Sequence, residues 1–113
     1  MRYLKTYLKT ITDRGNVKLA EAIEKTAEEV GSSYIKTFSF CSHEIGLLFG
    51  NVQSGKTGQM FGIISKAADL GFPAFVILTT DNVVLQQQTL ERVKSDLQGF
   101  CICGENDSGL FIE

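Results

Sequence analysis

Residues 50–57, Gly50-Asn51-Val52-Gln53-Ser54-Gly55-Lys56-Thr57, match the phosphate-binding pattern G-x-x-x-x-G-K-[ST]. The spacing has a chemical reason. Gly50 and Gly55 let the backbone approach phosphate oxygens where a Cβ would obstruct it. Backbone N–H groups from about Gln53 to Thr57 are expected to converge on a β-phosphate at a helix start, where the dipole favours an anion. The ammonium of Lys56 would neutralise β- and γ-phosphate oxygens, and the Thr57 hydroxyl would bind Mg²⁺. The expected ligand set is therefore Gly50, Gln53, Ser54, Gly55, Lys56, Thr57 and Gly58, with Lys56 as the catalytic group and ATP with Mg²⁺ as the cofactor.

Three other places carry reactive or polar side chains. Thr79 and Thr80, followed by Asp81 and Asn82, come directly after an apolar run. At the carboxyl end of a parallel strand such groups could meet a DNA phosphate, which positions a nucleic acid without reading its sequence. Asp81 or Asn82 also serves as a helix cap with no ligand at all. His43 is the only histidine, beside Glu44 and near Cys41, but Cys-x-His lacks the second ligand pair of a zinc site, so an ordinary loop histidine is expected. Cys101 and Cys103 would share one face of a strand and read as core packing.

The elements that must position these groups follow from periodicity. Tyr3, Leu4, Tyr7, Leu8 and Ile11 make a stripe at helical spacing over 2–12, broken by Asp13-Arg14-Gly15-Asn16. Asn16 is expected to cap a second helix, 17–30, with Leu19, Ala20, Ile23, Ala27 and Val30 inward and Gly31 as its stop. Tyr34 to Phe40 reads as a strand, Ile45 to Phe49 as a second, and Ala74 to Leu78 as a parallel strand buried on both faces. Between them a helix over about 56–70 is expected to lay Met60, Phe61, Ile63, Ile64, Ala67 and Ala68 beneath the sheet, with Gly71 and Pro73 stopping it. A further helix, about 83–98, would turn Leu90, Val93 and Leu97 inward, and strands at 100–103 and 110–112 follow. Of Gln86, Gln87 and Gln88, one or two must lie at a surface. Strand, helix, strand, helix, strand predicts an α/β fold: a partial P-loop NTPase (RecA-like) parallel sheet with flanking helices, preceded by an N-terminal helical hairpin. The expected division is a helical segment, 1–33, and an incomplete first motor domain, 34–113.

Bulk properties set limits. The 113 residues, 43% hydrophobic and 21% charged, suit one modest soluble domain. No apolar run approaches the ~20 residues of a membrane span, and Lys5 and Lys9 interrupt any secretory leader. Three unpaired cysteines argue for a reducing cytosol. Residues 1–40 hold seven Lys/Arg against five Asp/Glu, and residues 41–113 hold four against eight. The acidic second part is a poor non-specific nucleic-acid binder, so any DNA contact would be local or come through a longer protein. No apolar run ends in the Asp or Asp-Glu of a second Mg²⁺ motif, so the chain reads as the N-terminal piece of a longer protein, or a truncated homologue, with C-terminal domains or a partner subunit still required.

Two stretches carry a family resemblance over roughly residues 45–95. Val52-Gln53-Ser54-Gly55-Lys56-Thr57, with Gln53 where most helicases of the superfamily have Gly, and Leu78-Thr79 with Leu85 and Gln87-Gln88-Thr89, resemble the Z-one domain family of endonucleases. These are helicase-like superfamily-two ATPases found with DNA restriction–modification genes. The resemblance implies an ATP-binding module of a DNA-processing hydrolase, in restriction or defence. The Asp-Glu box, arginine finger, second motor domain and nuclease centre of that family have no counterpart in this sequence. Two alternatives stand beside it. The loop, the helix, Gly71-Phe72-Pro73 and the following apolar run also resemble the start of thymidine-kinase-type enzymes, implying a nucleoside-kinase-like phosphotransferase. The third reading is a non-enzymatic nucleotide-binding fragment.

Overall fold

The helical stripes of residues 2–30 become two helices in the computed structural model, which describes residues 2–48, 56–78 and 83–102. Helix α1 spans Arg2–Asp13 and α2 spans Val17–Val30; a π-helical turn, Gly31–Ile35, extends α2. Helix α3 spans Lys56–Asp69 and α4 spans Val83–Asp96. The chain divides into two compact units, Met1–Phe75 and Val76–Glu113. None of the described helices is long and apolar enough to cross a membrane.

Two helix ends share one device. After α1, Gly15 takes φ 87°, its N–H bonds to the Thr12 carbonyl, and the Asn16 N–H bonds to the Ile11 carbonyl. After α3, Gly71 takes φ 103°, its N–H bonds to the Ala68 carbonyl, and the Phe72 N–H bonds to the Ala67 carbonyl. This pair of bonds ties off carbonyls that a helix end leaves open, and the left-handed residue it needs is cheapest as glycine. Gly31 behaves otherwise. It stays right-handed (φ −60°, ψ −46°), and the helix runs on through it. Asn16 sits at the N-cap of α2, but its side chain makes no capping hydrogen bond.

Within the first unit, α1, α2 and α3 pack pairwise. Leu4, Tyr7 and Ile11 of α1, Ala20, Ile23 and Ala27 of α2, and Phe61 and Ala67 of α3 are buried. The Tyr7 and Phe61 rings meet edge to face, with centroids 6.2 Å apart. Asp69, the last residue of α3, caps the start of α1. Its carboxylate oxygens accept the Tyr3 N–H at 2.7 Å and the Leu4 N–H at 3.1 Å. Two of the four N–H groups that α1 leaves open are thereby satisfied from across the core.

The expected parallel sheet is overturned. Among the described residues there is no strand, and the regular structure is helical. The residues assigned to strand 34–40 form the end of the π-helical turn and irregular turns. Residues 45–48 and 74–78 have no regular structure, and Phe49 lies outside the described residues. Ala74 to Leu78 was to be covered on both sides, yet Val76 is 82% and Leu78 88% exposed. A continuous apolar run marks a buried strand only where neighbouring strands accept its backbone bonds, and a short run carries no information about such neighbours. The aromatic rings of the first presumed strand gather otherwise: Phe38, Phe40 and Phe72 form a cluster with centroids 5.0–5.7 Å apart. Phe100, Cys101 and Ile102 are likewise non-strand, and Cys101 is exposed rather than packed in a core; Cys103 and residues 110–112 lie outside the described residues. The P-loop and Walker A assignments, which need a strand feeding the loop, fall with the sheet as descriptions of this fold, and so do the helicase-like and hydrolase designations that rested on it.

In the second unit, α4 is followed at once by Leu97, whose N–H continues to the Val93 carbonyl. Val93, Asp96 and Leu97 are buried, Leu90 is half-buried, and Gln87 and Gln88 are exposed. The Arg92 guanidinium lies 3.5 Å from the Asp96 carboxylate, one helical turn away.

Candidate functional site

The candidate site is the start of α3. Lys56 and Thr57 are its first two residues, and both are half-buried. Gly50, Gln53, Ser54 and Gly55 lie outside the described residues, as do Thr79 and Thr80. Lys56 and Thr57 therefore stand together on one helical turn, with Gly58 third in line. The first amides of a helix have no acceptor within it and sit at the positive end of its dipole. No acidic residue occupies this first turn, so Lys56 is its one charge. The chemistry of this donor set, amides plus an ammonium plus a hydroxyl, suits a phosphate with its Mg²⁺.

The turn is held from behind by the other two helices. Gly58 is buried, and its carbonyl accepts a hydrogen bond from the Tyr7 hydroxyl at 3.1 Å. A Cβ on Gly58 would stand 3.4 Å from the Ile23 Cδ1, an ordinary contact distance. One turn on, Gly62 lies so close to Ile23 that a Cβ there would collide with the Ile23 Cγ2. Of the two glycines, four apart on one face, Gly62 is the one whose missing Cβ lets α2 approach α3 closely. Beyond them, the fully buried Ser65 hydroxyl donates back to the Phe61 carbonyl at 2.9 Å.

Lys66 closes the far end. Its side chain is only 8% exposed, and its ammonium lies 3.1 Å from each carboxylate oxygen of Glu28, which is 41% exposed. The methylenes of Lys66 run under Gly31, where a Cβ would stand 2.7 Å from the Lys66 Cγ. This close approach accounts for the glycine at 31, where no left-handed backbone is needed. The ion pair thus links α2 to α3 well away from Lys56, as a structural contact.

The buried face of α3 differs from the expected one. Phe61 and Ala67 are buried as anticipated, but Gly58, Gly62, Ser65 and Lys66 complete the face, while Met60, Ile63, Ile64 and Ala68 are half-buried. Tyr7, Gly62, Lys66, Glu28 and Asp69 support the helix through contacts that no local motif in the sequence signals. A usable signal was nevertheless present for Gly62: a glycine in a helix interior costs about 1 kcal/mol in propensity, a cost best explained by close helix packing. His43 and Cys41 are exposed in irregular chain, and among the described residues no three His, Cys, Asp or Glu gather as metal ligands.

Comparison with family models, with curated proteins and with solved structures returned no significant match for this chain.

Proposed function

We propose that the chain binds the phosphates of ATP, with Mg²⁺, through the motif of residues 50–58, whose last three residues, Lys56 to Gly58, open α3, in the service of a DNA-processing protein. The observation that carries this reading is the coincidence of Lys56 and Thr57 with the opening turn of a helix free of acidic residues there. In this setting Lys56 would meet terminal phosphate oxygens, Thr57 would offer its hydroxyl to Mg²⁺, and first-turn amides would donate to the same anion. In the sequence, Gly50 and Gly55 stand where the motif calls for residues without a Cβ. Thr79 and Thr80 are the candidate DNA contacts on this chain.

The test is ATP·Mg²⁺ titration of the folded chain by calorimetry, parent against Lys56→Ala. The variant should keep the parent's circular dichroism and lose at least tenfold in affinity. Equal affinity in the two proteins refutes the reading. Phosphate release by the chain alone would favour an enzyme over a binding module. Salt-dependent DNA binding that survives Thr79→Ala with Thr80→Ala unchanged would remove those two residues.

A further inference from the structure

Tyr7 is 2% exposed, yet it carries a hydroxyl into the core. That hydroxyl donates to the Gly58 carbonyl, one residue past Thr57. A helical carbonyl normally accepts one N–H from four residues on; its second lone pair is open to another donor. A buried hydroxyl is costly to leave unmet, so the bond specifies where the first turn of α3 sits against α1. The ring itself is fixed by its edge-to-face contact with Phe61, one turn along the same helix. Helix α1 is fixed in turn, because Asp69 at the other end of α3 accepts its first amides. The result is a closed frame. One end of α3 holds α1 through a carboxylate, and α1 holds the opposite end of α3 through a phenol.

Helix ends fray more readily than helix interiors. One such end, the start of α3, carries Lys56 and Thr57. We propose that Tyr7 is a positioning residue for phosphate binding: its hydroxyl, acting through the Gly58 carbonyl, holds the first turn of α3 so that the leading amides, Lys56 and Thr57 face the ligand together. This rests on the ATP reading above. Tyr7 itself touches no ligand. Its contribution is to remove, before binding, the freedom that the ligand would otherwise have to freeze out.

The experiment compares parent, Tyr7→Phe, Ile11→Val and Lys56→Ala. Phe keeps the ring and deletes only the hydroxyl. Ile11→Val trims the same core on the same helix, and the side chains beside Gly58 are those of Ile23 and Tyr7. ATP·Mg²⁺ affinity is measured by calorimetry well below each melting temperature, and amide hydrogen exchange is followed at residues 60–62 without nucleotide. Tyr7→Phe should bind ATP roughly three- to tenfold more weakly and exchange those amides several-fold faster, while Ile11→Val changes neither. The carbonyl carbon shift of Gly58 in the parent reads the bond directly and should move in Tyr7→Phe. Parent-like affinity in Tyr7→Phe, alongside loss in Lys56→Ala, overturns the positioning role and leaves the ATP reading standing. Equal weakening by Ile11→Val also overturns it, because the effect is then one of general core loosening. A parent that binds no ATP overturns both.

Discussion

Helices α3 and α4 have the same length, fourteen residues, but not the same surroundings. Six residues of α3 are buried: Gly58, Phe61, Gly62, Ser65, Lys66 and Ala67. Within α4 only Val93 and Asp96 are, and Val83 is 76% exposed. Composition does not explain the contrast, since α4 opens on Val83-Val84-Leu85. Spacing explains more. Those apolar residues are consecutive and so point in different directions, whereas Gly58, Phe61, Gly62 and Ser65 fall at intervals of three and four on one side. Small residues on that side then let the neighbouring helices come close. Burial of a helix therefore depends less on how many apolar residues it has than on their register and on room for a partner.

The largest effect expected from this contrast is at Phe61. It is fully buried, and Phe61→Ala should cost about 3–5 kcal/mol. Val93→Ala, at the best-buried apolar position within α4, should cost roughly 2 kcal/mol from the smaller volume removed. Urea unfolding followed by circular dichroism measures both, and an equal loss at the two sites would erase the distinction. A finer division lies inside α3. Gly62→Ala drives a methyl into Ile23 and should cost about 1–2 kcal/mol net, overpacking being partly offset by the ~1 kcal/mol helix preference of alanine. Gly58→Ala meets only ordinary contacts and should be neutral or stabilising by up to ~1 kcal/mol. The reverse order of melting temperatures would show that the close approach is not at Gly62. The smallest effect is at Val83, where Val83→Ala should change stability by less than about 0.5 kcal/mol. A larger loss would mean that the start of α4 is covered in solution.

The helical positions were legible because helix periodicity is local: four residues along a stripe already report the face. The stripe of Leu4, Tyr7 and Ile11 and that of Ala20, Ile23 and Ala27 are the buried faces of α1 and α2. The stops at Gly15 and Gly71 were legible for the same reason, since a left-handed turn is written in one residue. Strands are different. Residues 34–40, 45–49 and 74–78 have the composition of strands, but a strand exists only with a partner whose location no short segment encodes. At the candidate site, Lys56 and Thr57 opening a helix was legible from motif spacing. Its supports were not, because the Tyr7 to Gly58 and Asp69 to Tyr3 bonds join residues 51 and 66 apart in the chain.

That last separation affects how the protein is made. During synthesis α1 leaves the ribosome with its leading amides served only by water. The carboxylate that will cap them is 66 residues behind. At translation rates of about 5–20 residues per second, the wait is roughly 3–13 s. For that interval the apolar sides of α1 and α2 have each other but not Phe61. Until the third helix is made, the side of the hairpin that Phe61 covers has no partner from it.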